Sequence, residues 1–286
     1  MHISTHTLPN GIALSWYHPA EKAVAPVIIL CHGFCGIQQV LLPAFAEAFA
    51  QAGFSALTFD YRGFGASAGE RGRLVPAMQI ADITSVIDWA ATQSAIDAGR
   101  IGLWGSSLGG CHVFAAAATD PRVKCIVSQL AFADGEAMVT GHMNAEEKNA
   151  FIASLLRMEA KKHASGKEVM VSVTRVLSDE ESKAFFAEYR LRYPQMEIKI
   201  PFLTVLETIR YQPAHFAAQV KCPSLVVVAQ QDTVNPPQQG IALFAALGAS
   251  SKRLYIEEGA HHYDMYDGEH FQRSIREQLA WFNTQL

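Results

Sequence analysis

The stretch Gly102–Gly110, GLWGSSLGG, joins an apolar run to an alanine-rich one. Ile101-Gly102-Leu103-Trp104 has the unbroken hydrophobicity of a strand buried on both faces, and LGGCHVFAAAA after it reads as a helix. Between them, Gly105-Ser106-Ser107-Leu108-Gly109 fits G-x-S-x-G with Ser107 at its centre. In a strand–turn–helix setting such a bend holds the serine at strained backbone angles, so that its hydroxyl projects outward. Glycines two residues to either side let strand and helix approach closely. The helix start adds unpaired N–H groups and a positive dipole end beside the hydroxyl. Glycine and serine also mark ordinary turns, so the rest of the chain must supply the partners that chemistry needs. Ser106 has glycines at the wrong offsets and is expected to face away from the site.

Similar short apolar runs recur on both sides of this bend. They are Pro26–Cys31, Phe54–Phe59, Val123–Val127 and Leu225–Ala229, with a shorter one at Arg253–Ile256. Segments of helical period separate them, over 41–51, 76–91, 107–118, 237–247 and 268–283. Strand and helix in alternation predict an α/β fold, with a mostly parallel central sheet and helices on both faces. Alternation of apolar and polar residues around Pro9-Asn10-Gly11 predicts a β-hairpin at the start. The rhythm fails between Asp134 and Ala217, which reads as helical and amphipathic. Ser178 followed by Glu181 suggests a capping box there. The expected organisation is a core over 1–133 and 218–286, with a helical lid insertion over 134–217 above the C-terminal edge of the sheet.

A serine hydroxyl is a weak nucleophile near neutral pH and needs a base oriented by an acid. Two later strands also end in loops carrying suitable residues. VVVAQQDTVNP places Asp232 just past one strand, and YIEEGAHHYD places His261 and His262 past the next. The order serine, acid, histidine along the chain is the one expected for a serine elbow on this fold. Neighbouring loop residues point in different directions, so one histidine of the pair is expected to reach Ser107. The glycine-rich Cys31-His32-Gly33-Phe34-Cys35-Gly36 follows the first buried strand. It makes the backbone N–H groups of Phe34 and Leu108 candidates for an oxyanion hole, each worth about 3 kcal/mol in the transition state. His32 is expected to hold that loop by hydrogen bonding.

Of 286 residues half are hydrophobic and 17% charged, enough for a sizeable core and unlike a disordered chain. A net charge of −4 with no dense Lys/Arg block argues against nucleic-acid binding. No segment resembles a secretory signal or a membrane span. Five cysteines, an odd number lying mostly in apolar runs, read as buried thiols in a reducing compartment, so the expected location is cytoplasmic. No second Cys/His pair joins Cys31 and Cys35 at zinc-ligand spacing, and no metal or cofactor is expected.

HGFCG at 32–36, FDYRGFGAS at 59–67, GSSLGG at 105–110, the Asp232 loop and GAHHYDMYD at 259–267 together resemble the α/β-hydrolase family. The G-x-x-H pattern usual in that family selects His262. The resemblance also implies a structural role for Asp60. Asp264 and Asp267 after the histidine, with LAFADG at 130–135, look like the branch of dienelactone-hydrolase-like and polyketide-transferase-like proteins. Serine in place of cysteine at the nucleophile sets the chain apart from dienelactone hydrolase itself. The resemblance implies a serine hydrolase acting on a small-molecule ester or thioester. Its triad would be Ser107, Asp232 and His262. Acyl transfer or C–C hydrolysis by the same residues, or a silent homologue that only binds a ligand, are the alternatives. Phe132, Met138, Met143, Phe151, Leu155, Met158, Phe185, Phe186 and Tyr189 are candidates for an apolar pocket under the lid. Lid helices are frequent homodimer surfaces, which adds a second copy to the partners to be tested.

Overall fold

The computed structural model describes residues 2–20 and 24–286. Eight strands form one sheet in the order β1-β2-β4-β3-β5-β6-β9-β10. They are β1 His2–Thr7, β2 Ala13–His18, β3 Ala25–Cys31, β4 Ser55–Phe59, β5 Ile96–Ser106, β6 Val123–Gln129, β9 Ser224–Ala229 and β10 Lys252–Glu257. β1 and β2 pair antiparallel with each other, as β2 does with β4; all pairings from β4 through β10 are parallel. The first two strands form the expected hairpin, with Gly11 at a φ of 81° in the turn. That angle suits glycine because it has no Cβ.

Parallel strands need crossover helices, and these cover both faces. α1 Leu42–Gln51 and α10 Gly268–Gln285 lie on one side, where Phe45, Phe49, Trp104, Phe271 and Phe282 interlock. α2 Pro76–Ala91, α3 Leu108–Thr119 and α9 Pro237–Ala246 lie on the other. Every residue of β3 and β9 is buried, which explains their unbroken apolar spelling. Each fully buried Ile, Leu or Val there contributes about 1.5–3 kcal/mol of transfer free energy. β5 starts five residues before the apolar run at Ile101, because its exposed first half pairs only at Ile96 with the edge of β3. Among the described residues no helix is long and apolar enough to cross a membrane.

Between β6 and β9 the chain adds α4 Gly135–Thr140, α5 Ala145–Ser165, α6 Glu180–Arg192, α7 Thr204–Arg210 and α8 Pro213–Ala217. It also forms a small ribbon of β7 Met170–Ser172 and β8 Lys199–Pro201, separate from the main sheet. α8 packs on α3 and α9, so the segment rejoins the core before β9 begins. The α6 cap differs from the sequence expectation. Asp179, not Ser178, is the N-cap, and its carboxylate accepts the Ser182 N–H at 2.7 Å. A carboxylate also gains from the helix dipole, and moving the cap by one residue frees Glu181 for a contact outside the helix. A complete capping box does occur, at Asn144 and Glu147 on α5.

Candidate active site

Ser107 sits between the end of β5 and the start of α3, with φ 55° and ψ −123°. A non-glycine residue in this region is strained, and four such residues occur among those described: Cys35, Leu41, Ser107 and Leu130. The strain is held in place from several sides. The Ser107 N–H donates to Gln129 O at 2.9 Å, and Cys111 N–H donates to Ser107 O at 3.2 Å. The bend therefore cannot relax without breaking the β6 edge or the first turn of α3.

Ser106 has its hydroxyl buried, sharing a 2.6 Å hydrogen bond with Tyr266 Oη and accepting from Gln129 Nε2 at 3.3 Å. Gln129 in turn accepts from Gln278, which accepts from Trp104 Nε1. This satisfied network commits Ser106 to structure and leaves Ser107 as the serine with a free course into the cavity.

Asp232 follows β9 and His262 follows β10, and the folded chain joins them. His262 Nδ1 donates to Asp232 Oδ2 at 2.7 Å, with both side chains almost fully buried. The other oxygen, Oδ1, accepts the Val234 and Asn235 N–H groups at 2.8 and 2.7 Å. With all of these donors in place the carboxylate is fixed, and the imidazole presents Nε2 to the cavity that Ser107 also lines. His261 points elsewhere. Its ring is about half exposed, with Nδ1 at 3.4 Å from Glu181, and its N–H donates to Asp264 Oδ2. The choice between adjacent histidines thus falls on His262.

Ser107 Oγ has no hydrogen bond to His262 among the described residues; it accepts from Asn235 Nδ2 at 3.3 Å. Asn235 also donates to Leu130 O at 2.6 Å, so it ties the acid loop to the end of β6 as well as to the serine. Sequence reasoning passed over this residue. The only signal was its place three positions after Asp232 in the same loop. Replacing Asn235 with alanine is expected to lower kcat/KM by about tenfold and to cost about 1–3 kcal/mol of stability, because Leu130 O is left buried without a donor. Steady-state kinetics together with a thermal melt would check this, and unchanged values in both would remove the role assigned to Asn235.

The oxyanion candidates stand opposite. Among the described residues neither the Phe34 nor the Leu108 N–H has a protein acceptor. His32 Nδ1 donates to Gly33 O at 3.1 Å, and Gly36 N–H donates to the same oxygen at 3.2 Å. In a trans peptide the carbonyl and the next N–H point in opposite directions. Holding Gly33 O therefore aims the Phe34 N–H the other way. Burial pushes the His32 imidazole below its ordinary pKa, against the opposing pull of the Asp60 carboxylate, so it serves as a neutral donor. Asp60 has a structural place: it accepts from the Gln38 and Ala66 N–H groups at 2.7 and 2.9 Å, clamping two loops together.

Above these groups lies a cavity of about 390 Å³. Of the apolar residues named from sequence, Phe132, Met138, Phe185 and Phe186 line it. Met143, Phe151, Leu155, Met158 and Tyr189 do not; Phe151, Leu155 and Met158 pack under α5 with Leu203, Leu206 and Ile209 in a small core of their own, and Tyr189 packs against the main core. Helical period marks an apolar face without saying which cavity or core that face meets. α6 rests directly on the loops of the acid and the histidine. Thr233 Oγ1 donates to Glu181 at 2.5 Å, Ser182 Oγ and Tyr263 Oη are 3.1 Å apart, and Phe185 stacks on Tyr263 at 4.5 Å.

Three comparisons bear on this arrangement. An uncharacterized 31.7 kDa protein of the traX-finO intergenic region in Escherichia coli is 59% identical over the full length of both chains. A thiohydrolase, aneE of Aspergillus aculeatus, is 27% identical, covering 88% of this chain and 84% of its own. The structure of DcsB in complex with its substrate analogue superimposes with a TM-score of 0.85, at 23% identity, over 100% of this chain and 99% of that one. At that identity the superposition speaks for the fold alone. The model of the alpha/beta hydrolase fold matches residues 26–269, from β3 into the first turn of α10, and on that span the chain belongs to the α/β-hydrolase family.

Proposed function

We propose that the protein is a serine hydrolase that cleaves a carboxylic ester or thioester through an acyl-enzyme. The observation that carries this reading is the buried His262–Asp232 pair, at 2.7 Å, facing the same cavity as the strained Ser107. For this chemistry Ser107 must rotate about its Cα–Cβ bond, a move between staggered wells, to bring its hydroxyl to His262 Nε2. Asn235 donates to the serine oxygen and so leaves its hydrogen free for that contact.

His262 then takes the proton as Ser107 Oγ bonds to the substrate carbonyl carbon. Asp232 stabilises the imidazolium, and the Phe34 and Leu108 N–H groups receive the oxyanion. Collapse of the tetrahedral species breaks the bond to the leaving group, which takes the proton from His262. A water attacks the acyl-enzyme by the same route in reverse order of roles, giving the acid and restoring the serine. The thiohydrolase among the relatives supports a thioester as readily as an ester. The segment over 134–217 acts as the lid, since α4 and α6 supply part of the cavity wall.

A fluorophosphonate probe tests the reading directly. Labelling is expected on Ser107, lost in Ser107→Ala and unaffected by Ser106→Ala in protein that remains folded. A folded wild-type protein that takes up no label at Ser107 would leave a ligand-binding homologue as the better account.

A further inference from the structure

The cavity wall is uneven in charge. Among its lining residues there is no Lys or Arg, and Asp179 is the sole carboxylate. Asp179 Oδ1 is occupied by the Ser182 N–H at 2.7 Å, while among the described residues Oδ2 has no protein donor and the side chain forms no ion pair. Two more carboxylates lie just behind the wall: Glu181, held by Thr233, and Asp232, held by His262. Burial chiefly, with the Asp179, Glu181 and Asp232 charges adding to it, pushes the nearby Tyr263 phenol well above its ordinary value. Val, Leu, Met and Phe make up about half of the rest of the wall, and His32, His142, His262 and several Ser, Thr and Tyr residues are among the remainder. Such a site charges a high desolvation cost to any ion, and for an anion adds repulsion from Asp179 with no Lys or Arg in the wall to offset it.

We infer that the cavity takes apolar, uncharged acyl groups and turns away acyl chains ending in a carboxylate, with Asp179 as the residue that sets the preference. A volume of about 390 Å³ falls toward the small end of the range for small-molecule sites. That corresponds to a medium-length acyl chain with its ester group. The inference rests on the acyl-enzyme reading above and adds to it the class of acyl group.

The test uses p-nitrophenyl octanoate and two p-nitrophenyl esters of matched length, one chain ending in a carboxamide and one in a carboxylate. These are assayed with the wild-type protein and with Asp179→Asn and Asp179→Ser. Asparagine and serine cap helices about as well as aspartate, so α6 keeps its start. Wild type is expected to favour the carboxamide over the carboxylate by about tenfold or more in kcat/KM, mainly through KM. In both variants the ratio is expected to fall by about threefold or more, the desolvation cost and the Glu181 and Asp232 charges remaining. A flat ratio in wild type overturns the inference, and so does a ratio that neither substitution lowers, since desolvation alone would then account for it. Either failure leaves cleavage of octanoate intact. Absence of octanoate cleavage together with an unlabelled Ser107 instead removes the serine-hydrolase reading, and the acyl preference falls with it.

Discussion

Replacing Ser107 by alanine is expected to lower kcat by about 10⁴- to 10⁶-fold, with His262→Ala falling in the same range. The two losses should not add. On the proposed mechanism serine and histidine act as one unit, so the double variant should be about as slow as either single one. Asp232→Asn is expected to be milder, at about 10⁴-fold. An amide can accept from His262 Nδ1 or donate to it, which permits the wrong tautomer and loses the charge that stabilises the imidazolium. What activity remains in these variants reflects the Phe34 and Leu108 amides and the cavity. Saturating kinetics on an activated ester checks all four proteins. A Ser107→Ala protein retaining more than about a hundredth of wild-type kcat would place the chemistry elsewhere.

The second large effect concerns stability. Gly109→Ala is expected to destabilise the fold by about 3 kcal/mol or more, lowering Tm by on the order of 6–10 °C. A Cβ at Gly109 would stand 2.1 Å from Cys31 O and 2.6 Å from His32 O. Both are backbone atoms at the end of β3, so no side chain can swing away. Relief requires α3 to lift off the sheet or the oxyanion loop to shift. Gly105 meets the same constraint from the other side, since a Cβ there would lie 2.2 Å from Gly109 O. Gly259→Ala is the control. Its φ of 71° disfavours a side chain, but a Cβ there meets nothing within 4 Å. It should cost about 1 kcal/mol. Thermal melts of the two variants decide the matter: equal, small shifts would mean that the close approach of strand and helix is not what these glycines serve.

The sheet was legible in the sequence because burial on both faces writes itself as unbroken apolar runs at Val27–Cys31 and Leu225–Ala229. The serine bend was legible through its G-x-S-x-G spelling, although only Gly105 is demanded by a local contact, with Gly109 O; Gly109 is demanded by Cys31 and His32, far along the chain. The boundaries of helices were legible to within a residue or two. The α6 cap was misplaced by one residue, since Ser178 and Asp179 are both good capping residues and only the backbone path chooses between them.

Other features were settled by the tertiary structure. His261 and His262 are adjacent in sequence, yet one is bound to the buried Asp232 and the other lies beside the exposed side of Glu181. The family pattern pointed to His262, and the loop after β10 brings that imidazole to Asp232. Asn235 carries little mark in the sequence beyond its nearness to Asp232, because its partners Leu130 and Ser107 are distant along the chain. The same holds for the apolar residues of 134–217, which divide among a cavity, the main core and a separate small core. Local spelling determined which backbone conformations and which buried faces this protein has, since those follow from sterics and hydrophobic period over a few residues. Which side chains meet depends on how strands far apart in sequence line up in the sheet, and that alignment is a property of the whole packed core.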